Sequence, residues 1–106
     1  MRIVLDECVN PRVRDLVEAD HAVSTVLELG WGGLSDSKLV GQLQGRCDLF
    51  LTIDRGFEHQ HNLSVLGYGI VIVHVARNRL IHYVAVQEEI RQAVFSIRPG
   101  EVIHVG

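Results

Sequence analysis

The chain has 106 residues, 47% of them apolar and 22% charged, with a net charge of −3. That length gives one domain with room for about five strands and their covering helices, so a single domain over residues 1–106 is expected. The charge excludes a broadly basic surface for nonspecific nucleic-acid binding, and no apolar run approaches the roughly 20 residues of a membrane span.

The first strand is expected over Arg2 to Asp6, in the stretch RIVLDE. An apolar run that stops on two carboxylates places Asp6 and Glu7 at the strand's carboxyl end, since a strand interior could not accept them. The amino terminus enters this strand without a secretory leader, which makes the cytoplasm the expected compartment. Asn10 and Pro11 then form a helix start, an N-cap followed by a residue pre-organised for the first helical position, and a helix is expected from Pro11 to about Ala19. A short strand over His21 to Val26 follows. The segment from Leu27 to Leu34 reads as a loop, with three glycines and the only tryptophan, Trp31. Ser35 caps the next helix, and Asp36 in its first turn faces the positive end of the helix dipole.

Gly45 ends that helix, and Asp48 to Asp54 forms a third strand whose unbroken LFLTI reads as buried on both faces. Residues 55–66 are polar and rich in histidine, consistent with a loop and a short helix. The most apolar strand, Tyr68 to Val75, is expected central or next to central. One long helix is predicted over Leu80 to Phe95, with Ile81, Val84, Ala85, Ile90 and Val94 on its inward face. A short strand from Glu101 to Val105 closes the chain. The alternation predicts an α/β fold with a central, mostly parallel sheet, helices on both faces and right-handed crossovers.

In open parallel sheets, sites lie outside the carboxyl ends of the strands. LDE and TID echo each other there, and adjacent strands are only about 4.8 Å apart, so Asp6 and Asp54 can share a cation. Asp36 enters from the side, and Glu7 or Glu58 supplies a further oxygen. Such hard oxygen ligands suit Mg²⁺ or Mn²⁺ rather than Zn²⁺. Packed carboxylates also repel, so at least one of Asp6, Glu7, Asp36 and Asp54 is expected to hold its proton more tightly than usual without metal. The plainer alternative is that charges gather at strand ends because the core rejects them.

Other signals are weaker. Cys8 and Cys47 form neither a disulfide framework nor a metal clasp and are expected as reduced thiols. His59 and His61 make HxH, which with His74 or Glu58 offers a transition-metal alternative. Spacing of two is not that of a helical zinc pair, and a surface loop accounts for it better. Gln60 and Asn62 are candidates to line the acidic site. Trp31 either stacks a base or, as is commoner, anchors its loop. A phosphoacceptor receiver domain shares the acid pattern but needs a lysine at a later strand end. The only lysine here is Lys38.

The opening MRIVLDECVNPRV, the middle GLSDSKL and the run FLTIDRGFEHQHNL together resemble the small PIN-like domains, relatives of the VapC-type toxin ribonucleases. The likeness extends to the closing RPGEVIHV and implies a PIN-like three-layer sandwich with a sheet of about five strands. It implies Asp6, Asp36 and Asp54 as catalytic acids and Asp6, Glu7, Asp36 and Asp54 as ligands of Mg²⁺ or Mn²⁺. The chemistry implied is hydrolysis of RNA. Arg55, Arg12 and Asn62 are candidate substrate-binding residues, and Arg77 and Arg79, also near predicted strand or helix ends, are further candidate phosphate contacts; an ordinary solvated arginine is the plainer alternative for each but Arg55, which adjoins Asp54. A cognate antitoxin and a homodimer are the implied partners. Departures stand at Cys8, where many relatives carry Asn, and at His74, where many carry Arg. A PIN-like module that retains its acids for stability or partner docking, without hydrolysis, is the alternative function.

Overall fold

The apolar runs become strands because each is four or five residues long and rich in β-branched or aromatic side chains. The computed structural model describes residues 1–59 and 62–106. Its strands are β1 (Arg2–Leu5), β2 (Ala22–Thr25), β3 (Leu49–Thr52), β4 (Gly69–Val73) and β5 (Val102–Val105). They form one sheet in the order β2-β1-β3-β4-β5, and every neighbouring pair is parallel. All residues of β3 and β4 are buried, as their unbroken apolar sequences require.

Among the described residues, four α-helices complete the fold: α1 (Arg14–Val17), α2 (Asp36–Leu43), α3 (Leu80–Val84) and α4 (Gln87–Ser96). α1 is continued by 3-10 turns at Pro11–Val13 and Glu18–Asp20, so the expected helical stretch is present with tighter ends. The Asn10 side chain accepts from the Arg12 amide and Ser35 accepts from the Lys38 amide, which confirms both N-caps. The helices cover the two faces of the sheet. On one face, Ile3, Leu5, Leu49, Leu51, Val71 and Val73 pack with α1, α3 and α4. On the other, Val4, Phe50, Ile70 and Ile72 pack with α2, Trp31 and Phe57. The result is an α/β fold of three layers with an all-parallel central sheet.

Two expectations are corrected. The helix predicted over residues 80–95 is broken at Val86, whose φ of −116° and ψ of 18° leave the helical region. A β-branched residue at the end of Val84-Ala85-Val86 gives little resistance to such a break. Tyr83 turns inward with its hydroxyl bonded to Asn78, leaving Ile81 and Val84 exposed instead of buried. The second correction concerns handedness. The connections from β1 to β2 and from β4 to β5 cross the same face in opposite lateral directions, so they cannot both be right-handed. The face that α1 alone leaves bare is covered only when α3 and α4 pack beside it. Among the described residues, no helix is long and apolar enough to cross a membrane.

Candidate functional site

β1 and β3 pair directly, with Leu5 opposite Leu51, so the acids that follow them emerge on the same edge of the sheet. The Asp6 amide extends the ladder by donating to the Leu51 carbonyl at 2.9 Å. Asp6 is buried, and both its carboxylate oxygens are engaged. Oδ2 accepts from the hydroxyl of Thr52 at 2.7 Å and Oδ1 from the Glu7 amide at 2.8 Å. Thr52 is fully buried and accepts in turn from the Asp54 amide at 3.0 Å. One hydroxyl therefore links the two strand-end acids, the chemical use of the threonine in T-x-D. Asp54 is half-buried, and its Oδ1 accepts from the Gly56 amide at 2.9 Å, an Asx turn that bends the chain away from β3.

Asp36, in the first turn of α2, lies close enough to Asp6 for its charge to act there. Burial is the main reason that Asp6 holds its proton more tightly than an ordinary carboxylate, with repulsion from Asp36 a smaller contribution. Hydrogen bonds from Thr52, Glu7 and Cys8 oppose the shift. The expected raised proton affinity is thus present at Asp6, but desolvation leads and charge repulsion follows. Glu7 is exposed and its Oε1 accepts from the Gly33 amide at 3.3 Å, tying the glycine loop before α2 to the edge of β1. Gly30 and Gly33 hold φ of 77° and 78°, left-handed values that let this loop turn back toward β1. Trp31 anchors it: the ring is buried in the core and Arg46 sits 5.8 Å from its centroid.

The basic candidates distribute unevenly. Arg55 is exposed beside Asp54 and acts electrostatically on His74, at the end of β4. Arg12 is exposed in the 3-10 turn after β1, and Arg77 and Arg79 are exposed after β4. None of the four forms an ion pair among the described residues. Asn62 is not gathered with the acids. Its Oδ1 accepts from Ser64, whose backbone lies against Gly100 at the amino edge of β5. His61 and Gln60 lie outside the described residues, so the HxH reading falls there as well.

Asn78 and His104, which were not singled out from the sequence, complete the edge. Asn78 donates to the Cys8 carbonyl at 2.8 Å and accepts from the Asn10 amide at 3.1 Å, latching the loop after β4 to the loop after β1. Glu58, His104 and His74 form a second polar chain beyond β4 and β5. A histidine inside the alternating strand VIHV was the available signal for His104.

The donor set at the acids is all oxygen, which suits a hard cation. Among the described residues, no group of three or more His, Cys, Asp or Glu side chains gathers tightly enough to hold a metal. Mg²⁺ is commonly held by only one or two carboxylates, with waters and phosphate oxygens completing its shell. Asp6 with Asp36 fits that mode and does not fit a closed cage for Zn²⁺. Comparison with protein-family models, with curated proteins and with solved structures gave no match.

Proposed function

We propose that this chain is a Mg²⁺- or Mn²⁺-dependent endoribonuclease of the PIN-like, VapC-type toxin class, hydrolysing RNA phosphodiesters at Asp6, Asp36 and Asp54. The observation that carries the reading is the buried Asp6 carboxylate, oriented by Thr52 at 2.7 Å and within reach of the charge of Asp36, on the edge where β1 and β3 pair. Burial of an acid beside a second acid is unfavourable without a cation, and such strain is typical of functional sites. A bound divalent ion would lower the pKa of a water and neutralise charge developing on the phosphate. Thr52 and the Glu7 amide fix the Asp6 carboxylate, and the Asx turn fixes Asp54. Arg55 and Arg12 hold substrate phosphates from the rim, and Asn62, at the opposite edge of the sheet, has no part in the site. Glu7 supports the ligand set from the glycine loop. A cognate antitoxin would neutralise the enzyme, and a homodimer is the assembly we propose for it.

The second reading, an inactive docking module for a protein or RNA partner, is favoured by the structural use of the acids. Asp6, Glu7 and Asp54 each accept a backbone hydrogen bond that helps build the edge. The deciding assay incubates single-stranded and structured RNA with the protein and Mg²⁺ or Mn²⁺, beside an Asp54→Asn variant purified identically. Metal-dependent cleavage that disappears in Asp54→Asn and in chelator is expected, with Arg55→Ala mainly weakening substrate binding. Equal cleavage by wild type and Asp54→Asn would remove the metal mechanism, and no cleavage of any RNA together with retained Mn²⁺ binding would favour the docking module.

A further inference from the structure

Beyond β4 and β5, Nε2 of His74 lies 2.7 Å from Nδ1 of His104, and Nε2 of His104 lies 2.6 Å from Oε1 of Glu58. The connectivity dictates the protons. A carboxylate only accepts, so His104 donates from Nε2 and, when neutral, presents a lone pair at Nδ1. His74 therefore donates from its Nε2, which leaves Nδ1 of His74 as the open end of the chain. That nitrogen has no hydrogen bond among the described residues. Two hydrogens cannot occupy a gap of 2.7 Å, so the linked pair accepts one extra proton, at His74 Nδ1, and takes a second only by breaking the link.

The placement gives this one-proton chain a use. Thr52 pairs with Ile72 in the β3–β4 register, and Asp54 and His74 each follow by two residues on the same sheet edge. Arg55 follows Asp54 in the chain and lies close enough to His74 to act on its charge. In an in-line displacement the attacking and leaving oxygens lie on opposite sides of phosphorus. With water activated on the side of Asp6 and the phosphate held at Arg55, the leaving oxygen faces β4 and β5.

We propose that Glu58, His104 and His74 form a proton relay whose terminal nitrogen, Nδ1 of His74, protonates the leaving oxygen of a phosphodiester held at Arg55. The proposal rests on the nuclease reading. Water oxygen bonds to phosphorus as the phosphorus–oxygen bond to the leaving group breaks, its electron pair going to that oxygen. The proton from His74 Nδ1 completes the hydroxyl, the proton lost by water passes to solvent, and His74 regains a proton from solvent. The products are a phosphate monoester and an alcohol. His74 is the catalytic residue, and His104 and Glu58 are positioning residues. The groups facing His74 are Arg55 from the loop after β3, Glu58 from the 3-10 turn at Phe57–His59 and His104 from β5, with Glu89 of α4 linked through the Gly106 backbone. Desolvation first, then the charge of Arg55, weakens proton binding at His74 against the opposing pull of Glu58, which makes the imidazolium a readier donor.

The test uses the full chain with two substrates, RNA and bis(p-nitrophenyl) phosphate, whose leaving group departs without protonation. His74→Gln is expected to lose about 100-fold on RNA, a usual share for general acid catalysis, and to lose the fall in rate at alkaline pH. Its rate on the nitrophenyl diester should stay at the wild-type level. In parallel, ring ¹⁵N spectra over roughly pH 5 to 9, where imidazoles titrate, should show both neutral rings protonated at Nε2 and one proton taken up by the pair. Glu58→Gln should abolish the tautomer preference of His104 and weaken proton binding at His74, a readout that stands if His74→Gln folds poorly. Equal losses on both substrates, an unchanged alkaline limb, or two rings titrating independently would each overturn the relay. A wild type that cleaves neither substrate removes the nuclease reading and the leaving-group role with it, while the ¹⁵N spectra still decide whether the relay exists.

Discussion

Thr52→Val isolates the hydroxyl that joins the two strand-end acids while keeping nearly the same shape in a fully buried position. The substitution removes a hydrogen bond to a charged acceptor, worth about 1.5–3 kcal/mol. It also strands the Asp54 amide, which adds about 1 kcal/mol when a buried donor loses its partner. A total near 3 kcal/mol, divided by a urea dependence of about 2 kcal/mol/M, lowers the denaturation midpoint by roughly 1.5 M. Thr52→Ser keeps the hydroxyl and should cost only about 1 kcal/mol for the lost methyl group. The pH dependence gives a second check. Asp6 has a folded pKa above its ordinary value of 3.8, so its contribution is fully present below that value and is lost as pH rises through the folded pKa. The Thr52 bond opposes that rise, so without it the loss is larger and the gap between wild type and Thr52→Val widens from acid toward neutral pH. Urea titrations at about pH 4 and 7 measure it. A difference under about 0.5 kcal/mol, the ordinary scatter of surface changes, or a gap independent of pH would refute the reasoning.

Asp6→Asn removes a charge that burial disfavours, so in metal-free buffer it should melt above wild type near neutral pH and converge with it below the ordinary carboxylate range. Wild type should gain stability with Mg²⁺ by preferential binding to the native state, and the variant should not; thermal unfolding with and without the ion reads both. Asn78→Ala cuts the latch between the loops after β1 and β4, leaving the Asn10 amide and the Cys8 carbonyl without it. A cost of about 1–3 kcal/mol and faster hydrogen exchange at Asn10 are expected, and unchanged exchange would show that the loops hold without the latch.

The parts of the fold legible in the sequence are those written in local patterns. Five apolar runs, the Asn10 and Ser35 caps and the glycine loop all declare themselves within a few residues, and the terminal acids of β1 and β3 follow from where charge can leave a strand. The break at Val86 was hidden because helical spacing runs through it; what decides it is Tyr83, whose partners Asn78 and Asn10 come from other loops. Strand order shaped the rest. Glu58 and His104 are separated by 46 residues and His74 and His104 by 30, so the relay exists only because β4 and β5 pair. Asp6 and Asp54 were legible as a pair because their motifs match, whereas the threonine joining them acquires a role only when β1 and β3 become neighbours.

Strand parity explains why the polar groups line one face of the edge. Val4, Phe50, Ile70 and Val102 face α2, and two residues on in each strand, at positions sharing that face, stand Asp6, Thr52, Ile72 and His104. On the opposite face the same level holds Leu5, Leu51, Val71 and Ile103, and apolar side chains continue to Val73 and Val75 under the lid made by Tyr83. The α1 face is therefore closed by core packing up to the sheet edge, and only the α2 face opens into polar chemistry. α2 contributes to that opening from its first turn, where the charge of Asp36 reaches Asp6, while its apolar stripe at Leu39 and Leu43 seals the core below. A charge inserted at Val73 would thus meet packed core, whereas His74, one residue further and half-buried, stands where the core has ended. The two polar chains, from Asp6 to Asp54 through Thr52 and from Glu58 to His74 through His104, border one strip of this edge because the alternation that builds the core runs out there.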